Sequence, residues 1–267
     1  TFNRYPFLEK TVESVLRQSL RDFELIIVDD GSDDGTKELI QSFCDERVRY
    51  YYQENRGVSA ARNKGIIESR RDVIAFLDSD DAWKPEKLEK QLKIMKEPSC
   101  LISHTQELWY RRSKILNQKK KHRKCSGNLF EKSLEMCSIS ISTVVLKKSL
   151  FDELGLFDEN LPACEDYDLW LRVTSKYPVF LLDDELTVKD GGRPDQLSHR
   201  IPMPDRFRIQ SIVKLIEAGG LDKDQRVLAN KALQKKCKIY TNGCRKHGKE
   251  KEALKYERIL REAMDHI

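Results

Sequence analysis

The chain has 267 residues, of which 39% are hydrophobic and 35% are charged, so it can form one large domain with a heavily solvated exterior. Its net charge of +5 is the small difference between 49 basic and 44 acidic residues, which does not indicate a nucleic-acid-binding protein. No apolar run in the sequence approaches the roughly 20 residues that cross a bilayer. The seven cysteines are scattered without a Cys-x-x-Cys pair, which favours reduced thiols in a cytoplasmic protein over a disulfide framework or a zinc site.

The first part of the chain alternates helices and strands. The predicted elements in chain order are helix 6–18, strand 25–28, helix 36–43, strand 48–52, helix 58–69, strand 73–77 and helix 85–96. This alternation is typical of an α/β sheet with right-handed crossovers. Because Thr1-Phe2-Asn3-Arg4 lies directly before the first helix, we expect a preceding strand of about 5–6 residues to be missing.

From residue 98 onward the pattern changes. Strands are predicted at 100–110, 138–146, 179–182 and 186–189, and helices at 148–154, 165–176, 207–218, 223–247 and 250–263. The segment 111–124 is rich in lysine and arginine; we favour a flexible solvated loop over an anionic-membrane or lipid-phosphate surface, and both over a nucleic-acid-binding segment. Helix 207–218 carries too much apolar surface to stay exposed, so we expect it to dock on the preceding domain, while the later helices form a hairpin with a basic outer face.

Two acidic clusters follow predicted strands. Asp78-Ser79-Asp80-Asp81 comes directly after strand 73–77, where three neighbouring carboxylates repel one another and are costly to desolvate without a cation. Oxygen ligands suit Mg²⁺ or Mn²⁺ bridging to phosphates. The alternative is an acidic loop that caps the helix beginning at Pro85.

The second cluster, Val28-Asp29-Asp30-Gly31-Ser32, follows strand 25–28 in the same way. In open parallel sheets, ligands bind in the crevice beyond the carboxyl ends of the strands. The two acidic clusters are therefore expected to face one crevice, which favours the ligand-binding interpretation.

Five motifs in order resemble the family 2 glycosyltransferases, which are inverting enzymes with the GT-A fold. The motifs lie at Thr1-Phe2-Asn3-Arg4, Val28-Asp29-Asp30-Gly31-Ser32, 55–63, Asp78-Ser79-Asp80-Asp81 and Glu165-Asp166. The resemblance covers about residues 1–190 and implies a Rossmann-like α/β fold with a mixed, mainly parallel central sheet flanked by helices. It also implies a nucleotide-sugar-binding half at 1–97 and an acceptor-binding and catalytic half at 98–195. Residues 196–267 lie beyond the resemblance, and their pattern predicts a helical C-terminal extension.

The resemblance assigns roles to particular side chains. It implies nucleotide binding by Thr1, Asn3, Arg4, Asp30, Arg62 and Asp78. It also implies that Asp80 ligates a divalent metal, manganese or magnesium, on the donor diphosphate, and that Asp166 is the general base. Supporting roles fall to Asp81, Glu165, Asp168, Trp170 and His199.

Chemistry agrees with two of these roles. A diphosphate leaves with growing negative charge and needs a cation, and an attacking sugar hydroxyl needs a carboxylate to take its proton. A single displacement with one base inverts the configuration. The alternative for Glu165 and Asp166 is simple stabilisation of a helix N-terminus.

The helix predicted at 165–176 separates its acidic residues. Asp166 and Trp170 lie at i and i+4 and share a face, whereas Asp168 lies about 200° from Asp166 and is expected to pair with Arg172. Many family members carry a histidine near the end of the catalytic region; here residues 189–198 lack one and His199 is offset. We therefore expect water, not a third protein ligand, to complete the metal shell.

The expected activity is transfer of a single hexose from a nucleotide-diphosphate sugar, most simply a UDP-sugar, to a carbohydrate or lipid-linked acceptor. Surface-polysaccharide or glycoconjugate synthesis at the inner face of the membrane would fit, with no nucleic-acid partner. A nucleotidyltransferase is one alternative, although no glycine-rich phosphate loop with a downstream lysine is visible. A catalytically idle nucleotide-sugar-binding scaffold is the other.

Overall fold

The computed structural model describes residues 1–111, 114–191 and 203–265. The helices are α1 Tyr5–Leu16, α2 Thr36–Ser42, α3 Val58–Glu68, α4 Lys87–Ile94, α5 Phe130–Glu135, α6 Ser149–Leu154, α7 Glu165–Thr174, α8 Asp205–Glu217, α9 Lys223–Lys246 and α10 Glu250–Asp265. The strands are β1 Leu25–Asp29, β2 Val48–Tyr52, β3 Val73–Ala75, β4 Asp81–Trp83, β5 Ile102–Arg111, β6 Lys114–Ile115, β7 Val145–Lys147 and β8 Phe180–Asp190. Short 3₁₀ turns occupy Lys120–His122 and Ile141–Thr143.

The strands form a parallel pair, β1–β2, and a mixed sheet in the order β3-β7-β5-β8-β4, with β6 on β5. The mixed α/β sheet was expected, but only β1–β2 and β5–β8 are parallel among the described pairings, and the others are antiparallel. One reason is that only residues 76–80 separate β3 from β4. Such a short link cannot hold a parallel crossover, so β4 does not continue the parallel strand–helix alternation. It pairs antiparallel with β8.

Several predicted elements change in the structure. The strand predicted at 138–146 is a 3₁₀ turn followed by the short strand β7, and helix α5 was not predicted. The two strands predicted at 179–182 and 186–189 are one strand, β8. Acidic residues divide its apolar pattern, but they bond to side chains of neighbouring elements: Asp183 accepts from Gln106 and Asp184 pairs with Lys90.

The basic segment 111–124 does not end as a solvated loop. Lys124 is buried, and its Nζ lies 3.2 Å from Oε1 of Glu107 on β5. The expectation of a freely solvated segment is therefore wrong at this end, because a buried carboxylate anchors it.

The last three helices share an apolar cluster with α5 and α7. Ile209, Ile212 and Leu215 of α8 belong to the same buried cluster as Tyr167 and Leu171 of α7, which confirms the expected docking of α8. Helix α9 enters this cluster too, with Leu233 and Cys237, and α10 packs on α9 through Tyr256, whose ring centroid lies 4.4 Å from that of Tyr240. In the described ranges, no helix is long and apolar enough to cross a membrane.

Candidate functional site

A cleft of about 1800 Å³ opens where the predicted motifs meet. It is bordered by the first residues of the chain, the ends of β1 and β3, and the starts of α3 and α7. Ten predicted site residues line it: Thr1, Asn3, Arg4, Asp30, Arg62, Asp78, Asp80, Asp81, Glu165 and Asp166. The same cleft continues between β1 and β3, where it is lined by apolar side chains such as Val28 and Ile74.

Asp30 organises the wall of the cleft next to β1. Its Oδ1 accepts hydrogen bonds from Gln53 Nε2 at 2.7 Å and from the backbone N of Arg56 at 2.9 Å, and its Oδ2 accepts one from Gly57 N at 2.8 Å. Gly57 has φ +90°, a left-handed conformation that glycine adopts without strain. The Asp30 carboxylate therefore folds the loop before α3 around itself.

Arg62 joins the two acidic motifs. Its Nη2 donates to Asp78 Oδ1 at 2.9 Å, and its Nη1 donates to Glu165 Oε1 at 2.5 Å. Burial lowers the pKa of the Arg62 guanidinium, but the surrounding carboxylates outweigh burial and raise it. This arginine is permanently charged and connects the end of β3 with the start of α7.

The acidic segment after β3 is partly neutralised by the protein itself. Asp81 is buried at the start of β4; its Oδ2 accepts from Ser142 Oγ at 2.6 Å and lies 3.2 Å from Lys189 Nζ. Burial raises the pKa of Asp81 to about 7, although the Lys189 ammonium favours the carboxylate. Asp78 is paired to Arg62, and Asp80, the middle carboxylate of the motif, lines the cleft.

The described residues contain no group of three or more His, Cys, Asp or Glu side chains arranged to hold a metal ion. A divalent cation at this site would therefore need oxygens from outside the protein among its ligands. Such a donor set suits Mg²⁺ or Mn²⁺, which keep waters and substrate phosphates as ligands.

Asp166 stands in the first turn of α7, next to Glu165, which accepts a hydrogen bond from Arg62. Cys164 has φ +64° and turns the chain into the helix. The Asp166 Oδ1 accepts from the backbone N of Tyr167 at 2.7 Å, and its Oδ2 lies 3.1 Å from Cys137 Sγ. Both carboxylate oxygens are thus held, while the side chain remains at the cleft.

Two supporting residues, Asp168 and Trp170, do not line the cleft. Asp168 pairs with Arg172 at 2.9 Å, as expected, and also with Lys214 at 3.2 Å. Trp170 is fully buried in the central apolar cluster, because one turn after Asp166 the same helix face has passed into the core. His199 lies outside the described residues.

Sequence reasoning missed other side chains of the cleft, among them Trp109, Cys137, Lys189 and Arg208. Lys189 begins the stretch 189–198, which lacks the expected histidine, and nothing local in the sequence indicates that it pairs with Asp81. Cys137 carries no local signal, because its link to Asp166 spans 29 residues and depends on how α5 and α7 pack. Arg208 lies on α8, beyond the five motifs.

Comparison with known proteins gives consistent matches. The profile of glycosyl transferase family 2 matches residues 1–155. An uncharacterized glycosyltransferase of Rickettsia felis is 40% identical over 194 residues, which are 70% of this chain and 31% of that protein. The UDP-Glc:alpha-D-GlcNAc-diphosphoundecaprenol beta-1,3-glucosyltransferase WfgD of Escherichia coli is 31% identical over 174 residues, 65% of this chain and 66% of that protein. The chain thus spans under a third of the Rickettsia felis relative.

Solved structures agree in fold. S. aureus TarS 1-349 in complex with UDP-GlcNAc aligns with a TM-score of 0.75 at 16% identity, over 95% of this chain and 77% of that chain. The mannosyltransferase PcManGT from Pyrobaculum calidifontis, in complex with GDP-Man and Mn²⁺, aligns with a TM-score of 0.62 at 17% identity, over 99% and 82%. These likenesses confirm the GT-A fold. Because the family profile covers more than half of the chain, the protein belongs to glycosyl transferase family 2.

Proposed function

We propose that this chain transfers a single sugar from a UDP-sugar to a hydroxyl group of a lipid-linked or carbohydrate acceptor, with inversion of configuration. The observation that carries the proposal is one cleft in which Arg62 connects Asp78, at the end of β3, with Glu165, next to Asp166. In this proposal the carboxylates after β3 would form the cation-binding side of the cleft, and Asp166 would form its proton-accepting side. This arrangement fits group transfer better than a scaffold role, which needs no base beside the donor site.

The donor would lie along the walls formed by the first residues of the chain, Asp30 and Arg62. Asp30 shapes the loop that would border the base, and Asp78 is held by Arg62 where it could receive the ribose hydroxyls. A UDP-sugar is the donor we favour, since the similar TarS structure holds UDP-GlcNAc and the similar WfgD enzyme is named for UDP-Glc.

A divalent metal would be held by Asp80 and the donor diphosphate. The assignment of the metal to Asp80 follows from the resemblance of Asp78-Ser79-Asp80-Asp81 to the metal-binding motif of the family, and it is supported by the position of Asp80 at the cleft. When bound, the metal would neutralise charge on the leaving diphosphate. The Mn²⁺ in the similar PcManGT structure supports manganese as the first ion to test.

Asp166 would accept the proton of the attacking acceptor hydroxyl. A carboxylate can do so from the side of the sugar opposite the leaving diphosphate, and direct displacement then inverts the anomeric carbon. The acceptor would enter between Trp109, Cys137 and Arg208, which line this part of the cleft. A lipid-linked sugar diphosphate is supported by the acceptor in the name of WfgD.

The role of Asp166 is tested by Asp166→Asn, which keeps size and hydrogen bonding but removes basicity. We expect transfer to fall by about 10²–10⁴-fold while UDP-sugar affinity, measured by calorimetry, persists. Asp224→Asn is the matched control, because Asp224 is an exposed first-turn carboxylate of α9 outside the cleft. Near-normal transfer by Asp166→Asn, with chemistry limiting the rate, would contradict the assignment.

The metal role is tested by Asp80→Ala. We expect the variant to fold, because the change removes one of three clustered negative charges, and to lose the manganese-dependent part of UDP-sugar binding in calorimetry. Asp33→Ala is the control, since Asp33 is an exposed carboxylate directly after the second acidic cluster and does not line the cleft. Unchanged manganese-dependent binding in Asp80→Ala would remove Asp80 as the ligand.

A further inference from the structure

The connection between α5 and the 3₁₀ turn at Ile141–Thr143 brings a thiol to the carboxylate of Asp166. Cys137 Sγ lies 3.1 Å from Asp166 Oδ2 and 3.3 Å from the carbonyl oxygen of Ile139. Both distances are short for a hydrogen bond involving sulfur, but a thiol has only one proton to donate. The carboxylate is the stronger of the two acceptors because it carries the charge.

The surroundings keep the proton on sulfur. Burial raises the pKa of the Cys137 thiol well above its ordinary value, and the neighbouring charge of Asp166 adds to the effect. At neutral pH Cys137 is therefore a neutral donor and a poor nucleophile, which argues against a redox or covalent role. Of the seven cysteines, it has the one thiol that the structure places in hydrogen-bonding distance of a carboxylate of the cleft.

The second oxygen of Asp166 already has a fixed partner. Oδ1 accepts the backbone N–H of Tyr167 at 2.7 Å, so a donor on Oδ2 fixes the rotation of the whole carboxylate. A thiol is a weak donor, and it restrains an oxygen while taking less of its basicity than a hydroxyl would. Among the residues that the structure describes, the other charged or titratable groups near this pair are Glu165 beside Asp166 on α7, Arg62 of α3 and Cys164, with Arg208 of α8 and Lys124 near Cys137.

We propose that Cys137 is a positioning residue for the general base: its thiol donates a hydrogen bond to Oδ2 of Asp166 and holds that carboxylate toward the acceptor side of the cleft. This inference rests on the proposed function, because it assigns Cys137 a task only if Asp166 is the base. The hydrogen bond itself can be tested without any activity.

The contact is read directly from the S–H stretching band in infrared spectra of the full chain. The Cys137 band is identified as the one lost in Cys137→Ala, with Cys100→Ala as the control for loss of another buried thiol. We expect this band at lower frequency than those of the other buried thiols, and we expect Asp166→Asn to move it upward because an amide oxygen accepts less strongly than a carboxylate. A band that Asp166→Asn leaves in place would show that the thiol donates to Ile139, and would overturn the proposal.

The consequence for catalysis is read from the pH dependence of UDP-glucose or UDP-GlcNAc turnover with water as acceptor. Removing a donor from a carboxylate makes it easier to protonate, so Cys137→Ala should move the acid limb of the rate profile to higher pH and lower kcat about tenfold, with donor KM nearly unchanged. Cys137→Ser supplies a stronger donor and should move the same limb to lower pH. Packing defects alone would not give opposite shifts, so equal shifts in both variants would refute the role.

Failure of the base assignment of Asp166 can be distinguished from failure of the positioning role of Cys137. If Asp166→Asn keeps full turnover, the base assignment fails whatever the infrared result. If Asp166→Asn is inactive but the Cys137 variants titrate like the wild type, the base assignment stands and the positioning role of Cys137 is lost.

Discussion

Lys87 and Lys124 are both buried, but they differ in their partners. Lys124 lies 3.2 Å from Glu107, whereas Lys87 Nζ has no hydrogen-bond partner among the described residues and lies 4.1 Å from the centroid of the Trp83 ring. Burial lowers the pKa of Lys87 well below its ordinary value. Folding therefore requires this amine either to lose its proton or to remain charged in an apolar site, and both cost free energy.

We expect Lys87→Met to raise the free energy of unfolding at neutral pH by about 1–3 kcal/mol, because the unpaired amine is replaced by an apolar chain that still packs on Trp83. In the wild type the unfolded chain binds the Lys87 proton more tightly, so stability rises with pH between the lowered pKa and the ordinary value of 10.5. The Lys87→Met variant should lack the part of this rise in stability that comes from Lys87.

Urea unfolding at about pH 6 and about pH 9 measures both effects. Lys93→Met, at an exposed position of the same helix, is the control and should change stability by less than about 0.5 kcal/mol. A loss of stability in Lys87→Met at both pH values would mean that the ammonium–ring contact outweighs its desolvation.

Among the elements, those before residue 97 other than β4 were predicted closely, because each has a local apolar period and a glycine, proline or acidic boundary. Strand β4 and helix α5 were missed because both are short and show no apolar period. They are stabilised by contacts with residues that are distant in sequence. For α5 these partners include Tyr167, whose hydroxyl donates to the carbonyl of Leu134 at 2.8 Å. Short elements of this kind are set by tertiary packing, which periodicity does not contain.

Helix α9 offers a test of whether the C-terminal helices α8–α10 and the catalytic region, which is the part of the chain at 1–191, unfold together. Leu233 is 1% exposed and packs in the cluster that includes Phe130 and Leu134. We expect Leu233→Ala to lower the free energy of unfolding by about 2–5 kcal/mol, since it leaves a cavity at this junction. Val227→Ala is the control on the same helix, because Val227 is 54% exposed.

The three tryptophans, at 83, 109 and 170, all precede α8, so their fluorescence reports unfolding of the catalytic region alone. A lower urea midpoint seen by tryptophan in Leu233→Ala would show that α9 supports that region. A midpoint equal to that of Val227→Ala would show instead that the C-terminal helices are an independent appendage.

At the scale of the whole molecule, the motifs brought ten of the predicted side chains to one cleft, which the order of strands and acidic loops made predictable. What could not be predicted is how these side chains pair. Arg62 was expected to contact a nucleotide, yet its guanidinium holds Asp78 and Glu165. The contact to Glu165 spans 103 residues, so no local pattern reveals it.

A peripheral association with anionic membranes is the whole-molecule property that we propose beside the transfer reaction. It is supported by the exposed lysines of the basic segment, such as Lys119 and Lys120. Lysines close to an anionic surface contribute about 1 kcal/mol each.

We expect neutralisation of Lys119 and Lys120 to glutamine to weaken binding to phosphatidylserine vesicles by about 2 kcal/mol in co-sedimentation at low salt. The matched control replaces Lys10 and Lys37, which are exposed on α1 and α2, far in sequence from the basic segment. Equal losses in both double variants would mean that net charge alone drives binding, and the segment would then have no special role.

The bridge made by Arg62 has a consequence for how this protein can change over evolutionary time. One guanidinium pairs with both Asp78 and Glu165, so loss of the arginine would leave two carboxylates without their cationic partner. Loss of either acid would leave the arginine with one of its two ion pairs. A variant with a single change at one of these positions is therefore expected to be less stable than the present protein. The three positions should therefore be inherited as a set, and a relative with a different residue at one of them should carry compensating changes at the other two.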